Sequence, residues 1–138
     1  MSSDDTNSGR DLAAEDREHG RKAGTDEGVA SHHTDVIGRV EPRAKGPGAS
    51  IVHEDETTKI VAFEFAEGQV LPDHAAFHPV LIQILRGSVD FGLPDRTIRL
   101  QPGEILHLTP QLRHSVTALE PTTLTVTMLL PRPDAATA

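Results

Sequence analysis

The sequence predicts an all-β fold, an antiparallel sandwich or barrel, and three observations predict it. Eight or nine short apolar stretches recur at spacings near ten residues between Ser50 and Leu130. Glycine and proline turns separate them, and no stretch among them repeats with a helical period. Short strands closed by such turns are the pattern of sandwiches and barrels.

The chain before these stretches is different. From Met1 to about Gly48 it is built of Ser, Asp, Glu, Arg, Gly and His, with Leu12, Val29, Val36, Ile37 and Val40 scattered without a period. So few apolar side chains cannot offset the roughly 1–2 kcal/mol per residue that backbone ordering costs. Residues 1–48 are therefore expected as a disordered or weakly ordered polar tail. Asp11 to Lys22 mixes charges at helical spacing, with Asp11 placed to cap and Gly24 to stop, which allows a transient helix. His19, His32 and His33 read as solvated side chains of this tail. Gly46-Pro47-Gly48 breaks any regular structure, so the folded domain is expected over residues 49–131.

Ser50 to His53 reads as a short strand and Glu54 to Thr57 as a polar turn. Thr58 to Glu67 follows as a strand in which Ile60, Ala62, Phe63 and Phe65 partly alternate with Lys59, Val61 and Glu64. Pro72-Asp73 is read as a turn into His74, and Pro79 ends an irregular approach to the strand Val80 to Leu85. Ser88 to Phe91 alternates, Gly92-Leu93-Pro94-Asp95 is a hairpin connection, and Thr97 to Leu100 is its partner. Pro102-Gly103 turns the chain into Glu104 to Leu108. His114 to Ala118 follows, and Glu120-Pro121 leads into Thr122 to Leu130, where Leu124, Val126 and Met128 alternate with threonines. Pro131-Arg132-Pro133 stops the sheet, leaving residues 132–138 as a frayed end.

Composition narrows the chemistry. The 138 residues suffice for one domain with a core. There are no cysteines, which removes disulfides, zinc ribbons and thiol catalysis. Acidic residues outnumber basic ones 21 to 13, for a net charge of −8 with no Lys/Arg cluster, so nucleic acid is not the expected partner. No apolar run approaches the ~20 residues of a membrane helix, and the Ser/Asp-rich start does not read as a secretory signal. A cytoplasmic location is the expectation. With no Trp or Tyr and four Phe, recognition of sugars or bases by ring stacking is not expected.

Two stretches carry a family resemblance. The first is Gly68-Gln69-Val70-Leu71-Pro72-Asp73-His74 running through Val80-Leu81-Ile82-Gln83-Ile84-Leu85 to Arg86-Gly87. The second is Gly103-Glu104-Ile105-Leu106-His107-Leu108-Thr109-Pro110-Gln111-Leu112-Arg113-His114. They resemble the first and second motifs of the cupin superfamily, and with their intervening hairpin they cover about fifty residues. The resemblance implies a double-stranded β-helix, a jelly-roll barrel whose open end holds the site, and a homodimer that covers the sheet edges. The family's first motif reads G-x5-H-x-H-x3-E-x6-G. Counting back from Gly87 puts Ala76 at its second histidine and Val80 at its glutamate.

By that resemblance His74 matches the first histidine of motif one and His114 the histidine of motif two, the positions that hold a divalent ion in the family. Imidazole suits iron, manganese, nickel or zinc, so one such ion is the expected cofactor. His78 is the candidate third ligand. On a straight strand it would stand about 13 Å from His74, so only a bend can bring both to bonds of about 2.1 Å with one ion. Gln83 alternates with Val80, Ile82 and Ile84, so it is read as facing away from the interior. His53 and His107 are read as hydrogen-bonded structural residues, and Asp73 as a turn residue. Ser115 follows His114 directly, which places the two on opposite faces and excludes a nucleophile-base pair. Three readings stay open: a metal-supported barrel that binds or converts a small organic molecule, a metal-free barrel that binds or senses one, and a structural barrel with no selected chemistry.

Overall fold

The computed structural model describes residues 23–131. The helix expected over Asp11 to Lys22, His19 and the frayed end 132–138 lie outside the described residues. The chain divides after His32 into two units. The described part of the first, residues 23–32, forms neither helix nor strand. The second, from His33 onward, holds nine strands among the described residues: β1 (Gly48–Glu54), β2 (Thr58–Phe65), β3 (Val70–His74), β4 (Val80–Arg86), β5 (Val89–Gly92), β6 (Thr97–Leu100), β7 (Ile105–Leu108), β8 (His114–Ala118) and β9 (Thr122–Leu129). No described helix is long and apolar enough to cross a membrane.

The strands form two antiparallel sheets, a larger one in the order β1-β2-β9-β4-β7 and a smaller one in the order β3-β8-β5-β6. The all-β jelly-roll expected from strand spacing and from the cupin resemblance is the fold observed. The alternation read from the sequence sorts side chains between the faces. Val80, Ile82 and Ile84 of β4 meet Phe65, Val89, Phe91, Leu108, Val116 and Leu124 in one core. Each fully buried side chain of this kind contributes about 1.5–3 kcal/mol. Gln83 pairs with Thr125 on the outward face, as its parity requires.

Three register shifts break the alternation, one at Leu85 in the β4–β9 ladder and two that re-aim a histidine. In the β1–β2 ladder Ile51 pairs with Val61 and His53 with Ile60, so Val52 is an extra residue. An unbroken strand would give His53 the face of Ile51; the bulge moves it to the outward face that carries Ile60, Ala62 and Glu64. In the β3–β8 ladder Leu71 pairs with Val116 and His74 with His114. Pro72 and Asp73 together oppose Ser115 alone, where sequence reading placed a turn. Pro72 has no N–H to give the ladder, and the strand absorbs the defect as a bulge. Without it Asp73 would oppose His114 and His74 would point outward.

Within the strap of residues 33–47, His33 and Gly38 meet outward-facing His53 and Glu64, while Arg43, Lys45, Gly46 and Pro47 lie beside Ala49, Phe63, Val70 and Leu71. Gly38, at φ 73°, donates its N–H to Glu64 Oε2 at 2.6 Å, and Gln69 Nε2 donates to the Arg43 carbonyl at 2.6 Å. These contacts fall in a stretch whose composition reads as tail. Glu64, 2% exposed, meets Gly38 of this strap as well as Arg86 and Thr123.

Candidate functional site

The two sheets enclose a cavity of about 320 Å³. Phe63, Leu71, Ile82, Phe91, Val116, Leu124, Val126 and Met128 form its apolar walls, and Ala75, Ala76 and Phe77 belong to the β3–β4 connection at its edge. Phe77 is 80% exposed, unusual for the largest apolar side chain of that loop. Among the described residues the polar side chains of the lining are His74, His78 and His114.

His74 and His114 are direct cross-strand partners, so their side chains share a face. Their ring centroids lie 4.2 Å apart with the planes 62° apart, edge to face. His114 is 5% exposed and stacks on Phe91 at 5.3 Å with an interplanar angle of 11°. His74 Nδ1 lies 2.9 Å from the Pro72 carbonyl and His114 Nδ1 lies 2.9 Å from the Leu112 carbonyl. A carbonyl only accepts, so Nδ1 donates in both rings, and in a neutral ring this leaves Nε2 as the lone-pair nitrogen. Burial pushes the His114 imidazole below its ordinary value of 6.5; the hydrogen bond to the Leu112 carbonyl opposes this, the facing His74 adds to it, and Asp73 opposes it. His114 is therefore neutral at pH 7, an acceptor at Nε2.

His78 lines the same cavity, on the connection that leads into β4. Among the described residues, however, no group of three or more His, Cys, Asp or Glu side chains is gathered closely enough to hold a metal ion. The structure thus brings His74 and His114 together and leaves His78 on the wall. Ala76 and Val80, which stand where the cupin motif has a histidine and a glutamate, are also cavity-lining residues. The donor set that fits a strongly held first-row ion, three or four ligands on one centre, is not assembled here. His107 is exposed on β7 opposite Leu81, outside this cavity. Phe91, which supports His114, was not legible as a site residue: its alternation marks it as core, and only the fold puts it behind an imidazole.

Comparison with known proteins agrees with this architecture. Residues 62–138, more than half of the chain, match the AraC-like ligand binding domain family, and the chain belongs to that family. Among solved structures it is similar to an RmlC-like cupin protein from Desulfovibrio desulfuricans, with 28% identity and a TM-score of 0.64 over 74% of this chain and 97% of that one. A cupin superfamily protein from Desulfitobacterium hafniense DCB-2 shares 21% identity at a TM-score of 0.61, over 67% of this chain and 84% of that one. A conserved protein with a double-stranded β-helix domain from Klebsiella pneumoniae shares 20% identity at a TM-score of 0.65, over 72% and 90%. The last two likenesses carry the fold alone. No curated protein matches the chain.

Proposed function

We propose that the barrel binds one small, mostly apolar organic molecule without a metal, through a hydroxyl group that donates a hydrogen bond to Nε2 of His114 or of His74. The supporting observation is the paired imidazoles in an otherwise hydrocarbon cavity: two acceptors side by side with nothing else polar but His78 in the wall. At about 320 Å³ the cavity sits at the small end of the 300–1,000 Å³ usual for ligand pockets, so the guest is a single small molecule and not a polymer. Membership of a ligand-binding domain family supports the same reading.

The test is calorimetry or ligand-observed NMR with matched probes, such as a short-ring alcohol or phenol against the corresponding hydrocarbon. The wild type should prefer the hydroxylated member. His114→Leu should abolish that preference, since leaving a buried hydroxyl unpaired costs about 1–3 kcal/mol, or roughly 5–150-fold in Kd. Equal binding of both probes, or a preference that survives both His74→Leu and His114→Leu, rejects the reading.

A second reading rests on a separate observation. Both Nδ1 atoms are tied to backbone carbonyls, the arrangement that orients histidine ligands, and this supports one weakly held divalent ion of iron, manganese, nickel or zinc on His74 and His114. His78 would complete the set only by moving inward. Elemental analysis of tag-free protein, repeated for His74→Ala and His114→Ala, separates the two: metal retained by the wild type and lost by both variants favours this second reading.

A further inference from the structure

We propose that a second pocket, at the seam where β1 and β2 of the larger sheet approach β3 of the smaller one, binds a small amphipathic carboxylate whose anionic end is held by Arg43 and Lys45. This pocket has a volume of about 360 Å³, and Phe63, Val70, Leu71 and Pro72 supply its apolar side. Phe63 and Leu71 also line the histidine cavity, so these two side chains stand between the two spaces. The second pocket contains neither His74 nor His114 and does not depend on the reading of that pair.

The two cations ride on one tight turn. The Arg43 N–H donates to the Gly46 carbonyl at 2.8 Å, which closes the turn around Ala44 and Lys45. Gln69 fixes it in place: its Nε2 donates to the Arg43 carbonyl at 2.6 Å, and its Oε1 accepts the Ala66 N–H at 2.8 Å. Gln69 is in turn held by its own backbone, which donates to the Ala66 carbonyl at 3.1 Å and accepts the Ala118 N–H at 2.9 Å. Just beyond the turn, Gly48 packs so closely that a Cβ there would overlap the Glu41 carbonyl. The backbone that carries both cations is therefore in position before a ligand arrives, which lowers the ordering cost of binding.

Charge selects the ligand. In a chain of net charge −8, Lys59, Arg86, Arg96 and Arg99 each pair with a carboxylate of the protein. Among the described residues Arg43 and Lys45 make no such pair, and no Asp or Glu lines their pocket. A guanidinium takes both oxygens of a carboxylate in parallel hydrogen bonds, and an ammonium beside it adds a point charge. Val70, 45% exposed, leaves apolar surface next to the cations for a short carbon skeleton to cover. A bare inorganic anion leaves that surface wet, and a neutral hydrocarbon leaves the cations unmatched. The acid is small, since the volume lies near the lower end of the roughly 300–1,000 Å³ of ligand pockets.

The experiment titrates the full tag-free, nitrogen-15-labelled chain with hexanoate, hexanamide, acetate and inorganic phosphate, reading backbone amides by NMR and affinity by calorimetry. Hexanoate should move the amides of Arg43 to Gly46, Val70 and Leu71, and should bind at least about tenfold more tightly than each of the other probes. Arg43→Gln and Lys45→Gln, which alter only exposed side chains, should each weaken hexanoate about 3–10-fold, and the double variant should hold hexanoate no better than hexanamide. Amides of Val116, Val126 and Met128 report the histidine cavity, so failure at one pocket is read apart from failure at the other. Hexanoate affinity unchanged in the double variant, phosphate or hexanamide bound as tightly as hexanoate, or shifts confined to the histidine cavity overturns the proposal.

Discussion

Replacing Glu64 with alanine should loosen the strap over β1 and β2 and cost a large part of the domain's stability. The carboxylate is 2% exposed and accepts from Gly38 N–H at 2.6 Å, from Arg86 Nη2 at 3.1 Å and from the Thr123 hydroxyl at 2.9 Å to each oxygen. Thr123 is fully buried, so its orphaned hydroxyl costs about 1–3 kcal/mol. Arg86 is half exposed and rehydrates, so its ion pair adds only about 0–1 kcal/mol. The Gly38 N–H can regain a partner only if the strap lifts toward water. The sum is about 1–4 kcal/mol, against the 5–15 kcal/mol typical of a domain. Glu64→Gln keeps the shape and one acceptor but turns an NH₂ toward a donor, for about 1–2 kcal/mol. Urea denaturation followed by far-UV circular dichroism measures both costs, and hydrogen exchange reads the Gly38 amide. A loss below 1 kcal/mol for the alanine variant, or a Gly38 amide still as protected as in the wild type, would refute the reasoning.

Other consequences can be checked alongside. Gly87 sits at φ 91°, and a Cβ there would overlap the Pro121 carbonyl and the Thr122 hydroxyl and lie 2.8 Å from Thr122 Cα; Gly87→Ala should cost about 3–5 kcal/mol by denaturation. Gly103, at φ 94°, has open space around it, so Gly103→Ala should cost only the backbone strain of about 1–3 kcal/mol. Because burial holds the His114 imidazole below its ordinary 6.5, the unfolded chain takes up that proton first as the pH falls. Stability should therefore decline as pH drops below 6.5, and less so in His114→Gln, when urea midpoints at pH 7.5 and 5.5 are compared. The hydrogen bond from His53, with those from the Thr57 and Thr58 amides, holds the Asp55 carboxyl down to about 2; NMR titration should show this, and His53→Ala should raise it toward 3.8.

Alternation was the most readable part of the sequence. His114, Val116 and Ala118 on one face of β8, and Leu124, Val126 and Met128 on one face of β9, follow from period two and are found as expected. The motif resemblance located His74 and His114, and the ladder pairs them. Position along the chain could not show that Pro72-Asp73 is a bulge and not a turn, because that depends on which residue of β8 stands opposite. The same holds for Val52: a strict period-two reading gives His53 the wrong face. Glu64 reads as an ordinary outward charge, and its contacts with Gly38 of the strap, Arg86 and Thr123 appear only in the fold. His33, solvated by composition, meets His53 because these elements cross, a contact 20 residues long in sequence. Local pattern fixes the strands; tertiary crossings decide what their polar side chains touch.

The position of β9 has a kinetic consequence. This last of the described strands lies in the middle of the larger sheet, with β2 on one side and β4 on the other. During synthesis β2 and β4 are therefore made well before the strand that joins them, and neither long-range ladder can start until Thr122 and Thr123 emerge. Such late, non-local pairing makes folding slow and leaves nascent strand edges open to aggregation or to chaperones.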